Sequence, residues 1–485
     1  MDPGRISALL LSVALLPCLV QAASLDDTEP ALAPSLARIS PERMQADIAA
    51  LSAPEFQGRQ AGTEGDRRSA AWIGDRFRSI GLALATIADR LSGDQAPTGF
   101  MTSVVTAPVI DTDPVLRLGS AMSLHTIQLG TDYLPVLDSS SADVQAPIVF
   151  VGYGTGEEYG NVEVTNCIVL FLRGKPERAT AALSHADKVR LARAKGAAGY
   201  LTATGPILGP YEIRRGVTGT PRAFYAQLPE SETLPGAWIS TQRAETIVSD
   251  LRERQAKLNT EPSPQSIRTE HYAGLHWQTH RREGLLINVV ALLPGTGSEA
   301  IVIGAHRDHF GSTAGLVFPG ADDNASGTAV MLEVARLLTS SGWRSKHTIL
   351  FVSFSGEERD LLGSRLYVAR PAMPLTRTKA MINIDHAGVG NGRLTVGVTG
   401  LDKTTAQAAG QPAGLPDKLD LFGFFPGGDH VPFKEAGVPT ITVVSGGVHP
   451  HFHRPTDTAD TIDPEILRNV ARYVLALVWH LSDAP

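Results

Sequence analysis

The stretch EAIVIGAHRDHFG (299–311) decides the fold. Its apolar run, Ile301-Val302-Ile303, is strand-like and leads straight into His306, with Asp308 and His309 immediately after. The same construction returns twice. Ile349-Leu350-Phe351-Val352 runs into Glu357-Glu358 within SFSGEERDLLGS (353–364), and Met381-Ile382-Asn383-Ile384 runs into Asp385 within MINIDHAG (381–388). Two more pieces, PGADDNASG (319–327) and HPHFHRPTDT (449–458), supply further carboxylates and imidazoles. In open α/β sheets, sites form outside the carboxyl ends of the strands. Polar clusters that repeatedly close apolar runs therefore predict one site on one sheet edge.

Working outward, strand-like runs fall at 287–293, 300–305, 347–354, 380–385 and 438–444. Helix-like runs fall between them, at 326–339, 361–369, 430–436 and 464–481. This alternation predicts an α/β fold, a mostly parallel mixed sheet sandwiched by helices. In the last helix Asp463 caps, Pro464 takes the first turn, and Ile466, Val470, Val474, Leu477 and Leu481 form a core stripe. Upstream, Ser40-Pro41 opens a helix, and a second spans Gly65 to Ile80 with Gly81 stopping it. The loop EFQGRQAGT (55–63) joins them, and residues 24–38 read as a loose leader. From about 135 to 265 the chain turns to short strands without metal-type clusters, as an inserted β-rich module would; the polar stretch 255–275, with Pro262 and Pro264, reads as its re-entry linker. The expected divisions are a signal peptide over 1–22, an N-terminal catalytic part over 23–134, the insert over 135–265 and the main catalytic part over 266–485.

With 485 residues, 43% hydrophobic and 19% charged, the chain is an ordinary globular protein large enough for two domains. A formal charge of −7 argues against a nucleic-acid partner, which wants a basic face; short pairs such as Arg214-Arg215 and Arg281-Arg282 read as solvated surface. Arg5, the apolar stretch Ile6 to Val20 and the small residues up to Ala22 make a secretory signal cleaved after Ala22. Pro17 argues against a lipid anchor on Cys18, and no later segment is apolar enough to span a bilayer. The expected product is therefore exported, periplasmic or secreted, and off the membrane after cleavage. Cys167, in a strand-like run, is expected as a packed thiol.

Imidazole and carboxylate donors without thiolate suit zinc or a similar divalent ion. Two such ions side by side need a bridging anion and several negative ligands. Asp322 is the bridge candidate, in a tight turn before a helix whose N-terminus favours negative charge; Asp323 is its alternative. Glu357 and Glu358 can divide the work, one binding metal and one moving protons, since neighbours in an extended segment point opposite ways. Asp308 is placed to hold the His306 imidazole from behind. His449 and His451 compete with His453, which alone precedes an x-Pro-x-Asp context. His309 and His430 are candidates for the pocket lining. Asp429 is read either as holding a substrate amino group or as a helix cap, and Asp457 as either supporting the site or capping the segment after it.

These residues resemble the co-catalytic zinc peptidases of metallopeptidase family 28, chiefly secreted aminopeptidases, from about residue 40 to the end. The resemblance implies His306, Asp385, Glu358 and His453 as ligands of two zinc ions, Asp322 as the shared ligand and Glu357 as general base. It pairs His306 with Asp385 on one metal and Glu358 with His453 on the other. The insert resembles a protease-associated domain in Val149–Gly154, Cys167–Arg173 and Lys195–Gly199. Arg307 and His386 depart from the family pattern, in which those positions are commonly apolar. The implied activity is removal of N-terminal residues from peptides with a free amino terminus. A carboxypeptidase or dipeptidase is the enzymatic rival; it would need a cationic pocket, for which Arg307 and Arg359 are the local candidates. A single-zinc glutaminyl cyclase relative and a non-catalytic binding protein are the remaining alternatives, and the complete ligand set with Glu357 argues against both. Oligomeric state is undetermined by the sequence.

Overall fold

The computed structural model describes residues 29–86, 99–209, 212–213 and 217–483. The expected signal segment 1–22, Cys18 and Arg214-Arg215 lie outside the described residues.

Four strands run parallel through the centre of a nine-stranded sheet, in the order Thr348–Phe354, Ala300–His306, Thr378–Asp385 and Thr440–Ser445. Thr279–Leu293 pairs antiparallel beyond the first and Leu394–Thr399 beyond the last. The central strands carry apolar residues on both faces because both faces are covered. Ile301, Ile303, Phe351, Ile382 and Ile384 enter one core, with the helices Pro41–Leu51, Glu64–Ile80, Gly327–Ser340 and Pro464–Asp483. Their neighbours Val302, Leu350, Val352 and Met381 enter another, with Leu362–Ala369 and His430–Glu435. All four central strands therefore release their carboxyl ends along one edge.

Local chemistry sets the helix ends. Ser40 Oγ accepts the Arg43 N–H at 3.2 Å, and Gly81 takes the left-handed conformation at φ 94° after Ile80. Asp463 accepts the N–H groups of Glu465 and Ile466 at 2.8 and 3.3 Å, and the stripe from Ile466 to Leu481 is buried.

Two expectations are corrected. Part of the supposed leader is a helix, Glu29–Ala37, whose Leu32 and Leu36 enter the main core. Its pattern offers only those two anchors one turn apart, so packing rather than periodicity orders it. The supposed linker 255–275 contributes to the helix Leu251–Thr260 and the strand Ile267–Trp277. That strand does alternate, but Thr269 and His271 occupy inward positions and blur the hydrophobic signal.

The strand Ile267–Trp277 belongs to a second, eight-stranded sheet ordered Ser123–Thr126, Val115–Ser120, Ile267–Trp277, Ala142–Phe150, Ile168–Leu172, Gly199–Ala203, Gly236–Ile239 and Tyr133–Pro135. It has its own apolar cluster, including Ile148, Leu170, Leu201, Ile239 and Leu275, and Cys167 is buried beside it as a free thiol. The chain passes between the two sheets through one antiparallel ribbon, in which Phe100–Ile110 pairs with Thr279–Leu293 from Ile110↔Thr279 to Phe100↔Val289. Among the described residues no helix is long and apolar enough to cross a membrane.

Replacing Leu477, fully buried in the C-terminal helix, by Ala is expected to cost about 2–5 kcal/mol. The measurement is the midpoint of urea unfolding; an unchanged midpoint would contradict this packing.

Candidate metal centre

The edge formed by the four strand ends collects buried carboxylates and imidazoles. His306 Nε2, at the end of its strand, lies 3.3 Å from Asp385 Oδ1 and 3.4 Å from Asp323 Oδ1. Glu357 joins His306 and Asp385 in one group of converging donor atoms. The other oxygen of Asp323, Oδ2, lies 3.1 Å from His453 Nε2, which is itself 3.5 Å from Glu358 Oε2. His309 Nδ1 stands 2.8 Å from Glu358 Oε1. Asp323 thus presents one oxygen to each of two donor sets.

The structure divides the aspartate pair differently from the expectation that put Asp322 between the metals. Asp322 Oδ1 accepts the Gly388 N–H at 2.9 Å, and its Oδ2 faces Nδ1 of His386 and of His449 at 3.2 and 2.6 Å. The reason is the backbone of the 321–326 turn, which aims consecutive side chains to different sides. Gly320 enters that turn at φ 60°, where a Cβ would stand 2.3 Å from the Asp323 carbonyl oxygen and 2.6 Å from the His309 ring. Asp457 closes the turn by accepting both the Asp322 and Asp323 N–H groups, at 2.8 and 3.1 Å. Of the three competing imidazoles, His453 reaches Asp323 and Glu358, His449 reaches Asp322, and His451 turns to Thr456 Oγ1 at 2.9 Å.

Supporting contacts surround these groups. Asp308 Oδ1 accepts the Glu357 N–H at 3.2 Å and stands 3.6 Å from His306 Nδ1. His453 Nδ1 donates to the Ala223 carbonyl at 3.0 Å, which leaves Nε2 to face the carboxylates. Gln227 Nε2 donates to the Glu358 carbonyl at 2.9 Å. Ala223 and Gln227 belong to a segment bordering the second sheet, so that part of the chain reaches the centre. His430 Nε2 donates to the Phe425 carbonyl at 2.8 Å, and Asp429 is fully buried, its carboxyl pushed up to about 7 by burial.

Two arginines settle what the sequence left open. Arg307 turns away from the cluster to Asp66 Oδ1 at 2.5 Å and the Ile287 carbonyl at 2.6 Å. Arg359 donates to the Thr106 carbonyl and lies over the Tyr225 ring. Neither forms the cationic pocket considered for a substrate carboxylate. Arg59, from the 55–63 loop, was missed. Its fully buried guanidinium donates to the carbonyls of Arg307, Leu51, Pro319 and Gly320 at 2.5–2.7 Å. It clamps the strand end carrying His306 to the turn carrying Asp323. Nothing in the local sequence announces this, because three of its four partners are main-chain groups 248–261 residues away.

Burial pushes the Glu357 and Glu358 carboxyls well up, with His306 opposing and the neighbouring carboxylates adding to the rise. Asp457 is raised to about 8 by burial and then by Asp322. Burial also acts to raise Asp323, but His386, His309 and His453 outweigh it and hold the group well below the usual range. This much buried negative charge around nitrogen and oxygen donors suits divalent cations. The Asp385 oxygen facing His306 accepts no hydrogen bond, as a metal-directed atom would not.

Residues 288–478 match the model of peptidase family M28. A probable leucine aminopeptidase of Arthroderma otae is 30% identical over 220 residues, which cover 41% of this chain and 58% of that protein. The structure of an aminopeptidase from Aneurinibacillus sp. strain AM-1 superimposes with a TM-score of 0.66 at 23% identity, covering 93% of this chain and 95% of its own. That of BSAP, a zinc aminopeptidase from Bacillus subtilis, gives 0.62 at 22% identity, covering 91% and 95%. The fold is M28 zinc-aminopeptidase-like. It carries several clusters able to chelate metal, and the chain spans little more than half the length of the curated relative it matches.

Arg59→Met would leave four main-chain carbonyls without their donor, at about 1–3 kcal/mol for each group that stays dry. The expected outcome is a marked fall in unfolding free energy together with loss of bound metal. Unchanged denaturation and metal content would show that the clamp is dispensable.

Proposed function

We propose that this chain is an exported, zinc-dependent aminopeptidase that removes N-terminal residues from peptides. One observation carries the proposal: the two oxygens of Asp323 face different donor sets, His306 with Asp385 and His453 with Glu358. In this reading those four residues would hold two zinc ions, with Asp323, in the role first expected of Asp322, serving both donor sets. Zinc so held would polarise the scissile carbonyl and acidify the attacking water. Glu357, half-buried beside His306 and Asp385 without being needed as a ligand, takes the proton from the attacking water and returns it to the departing amine. Asp308 keeps the His306 ring and the Glu357 backbone in place. The second sheet is proposed as a protease-associated-like module bordering the site, and the likeness to aminopeptidase structures supports the substrate class.

A carboxypeptidase reading retains one supporting observation. Arg222, its guanidinium over the Phe452 ring at 5.2 Å, is a cation beside His453. Paired peptides with free and N-acetylated amino termini separate the two. Cleavage confined to the free amine is expected; cleavage indifferent to acetylation would sink the aminopeptidase reading.

Two variants test the residue roles. Glu357→Gln is expected to retain two zinc ions per chain and lose at least a hundredfold in kcat, on the usual scale of a general base; near-normal turnover would remove Glu357 from that role. Asp323→Ala is expected to lose zinc, measured by elemental analysis. Normal zinc content there would return the bridge to another residue.

A further inference from the structure

We propose that Asp322, His386 and His449 form a third divalent-cation site, of the zinc or cobalt type, beside the paired centre and sharing none of its proposed ligands. The proposal rests on the reading above only in leaving Asp322 outside the pair.

Three donor atoms converge here: Asp322 Oδ2, His386 Nδ1 and His449 Nδ1. Donors around a four-coordinate ion with bonds of about 2.0–2.1 Å stand roughly 3.3 Å apart. The 3.2 Å separation of Asp322 from His386 already fits, and the 2.6 Å separation from His449 has to open by well under one ångström. Metal binding needs both Nδ1 atoms free of protons, so any proton held there leaves to solvent as the ion enters.

The surroundings orient each donor. Asp322 Oδ1 is occupied by the Gly388 N–H, which leaves Oδ2 for the ion. His449 Nε2 stands 3.1 Å from the Ser445 carbonyl. A ring that donates from Nε2 to a carbonyl has its Nδ1 lone pair available for a metal. His386 Nε2 faces Asp323 Oδ2 at 3.6 Å and Asp385 Oδ1 at 3.9 Å, which leaves Nδ1 toward Asp322, and its carbonyl accepts the Ser445 N–H at 2.8 Å. Both imidazoles keep a small exposed fraction, 14% and 12% of their side chains, so a hydrated ion can reach them. Phe452 packs on His386 with ring centroids 5.1 Å apart and shields the site on one side. His386 is one of the positions where this chain departs from the apolar residue common in the resembling family, and the departure supplies one of the three donors.

The test is cobalt(II) titration of the full chain after chelation, followed by dialysis and elemental analysis. The wild type is expected to take up three equivalents and His449→Gln two. Asp323→Asn is expected to lose the pair while keeping the equivalent that depends on His449. If wild type and His449→Gln both saturate at two equivalents in millimolar cobalt, the third site is overturned, and the cluster is a hydrogen-bonded triad. If Asp323→Asn instead binds as the wild type does, the paired centre fails as assigned, while a loss confined to His449→Gln still upholds the third site.

Discussion

Burying negative charge is the constraint on which the rest of this structure depends. Asp308, Asp322, Asp323 and Asp457 are all buried within one small region, and an isolated carboxylate taken out of water is strongly disfavoured. The fold meets that cost in layers. Imidazoles stand against the carboxylates that face inward, main-chain N–H groups bind Asp457 and Asp322 from outside, and the Arg59 guanidinium lies beneath. Divalent cations complete the balance in the proposed reading, so metal retention and stability are two aspects of the same electrostatics.

Arg59 and Asp457 act from opposite sides of one turn. Asp457 accepts its N–H groups while Arg59 donates to the carbonyls that precede it. Because Arg59 also binds the Arg307 carbonyl, the turn is tied to the strand end that carries His306. Placement of Asp323 between two donor sets is therefore a property of main-chain geometry, set by groups that need not touch a substrate.

The second sheet enters the same network. Asp138 accepts the N–H groups of Ala226 and Gln227 at 2.7 and 2.9 Å and so shapes the segment whose Ala223 carbonyl orients His453. Tyr225 from this segment packs against Phe310, four residues beyond His306. A segment without metal-type residues of its own thus controls the direction of one imidazole.

Much of this was legible in the chain. The runs 301–303 and 349–352 are apolar on every residue, and 381–384 on all but Asn383, because both sheet faces are covered; that near-continuity marks the central strands. His306, Glu357, Glu358 and Asp385 lie at or beyond strand ends, where a parallel sheet must deliver them to one edge. Sequence alone therefore determined the α/β class, the imidazole and carboxylate donor types, and the strand ends that deliver them to one edge. Only the tertiary structure set Asp323 rather than Asp322 between the two donor sets, turned Arg307 away to Asp66, ordered Glu29–Ala37, and placed Arg59 and Ala223 behind the site. Each of those outcomes depends on a backbone direction or on a main-chain partner distant in sequence. Side-chain identity and spacing encode neither.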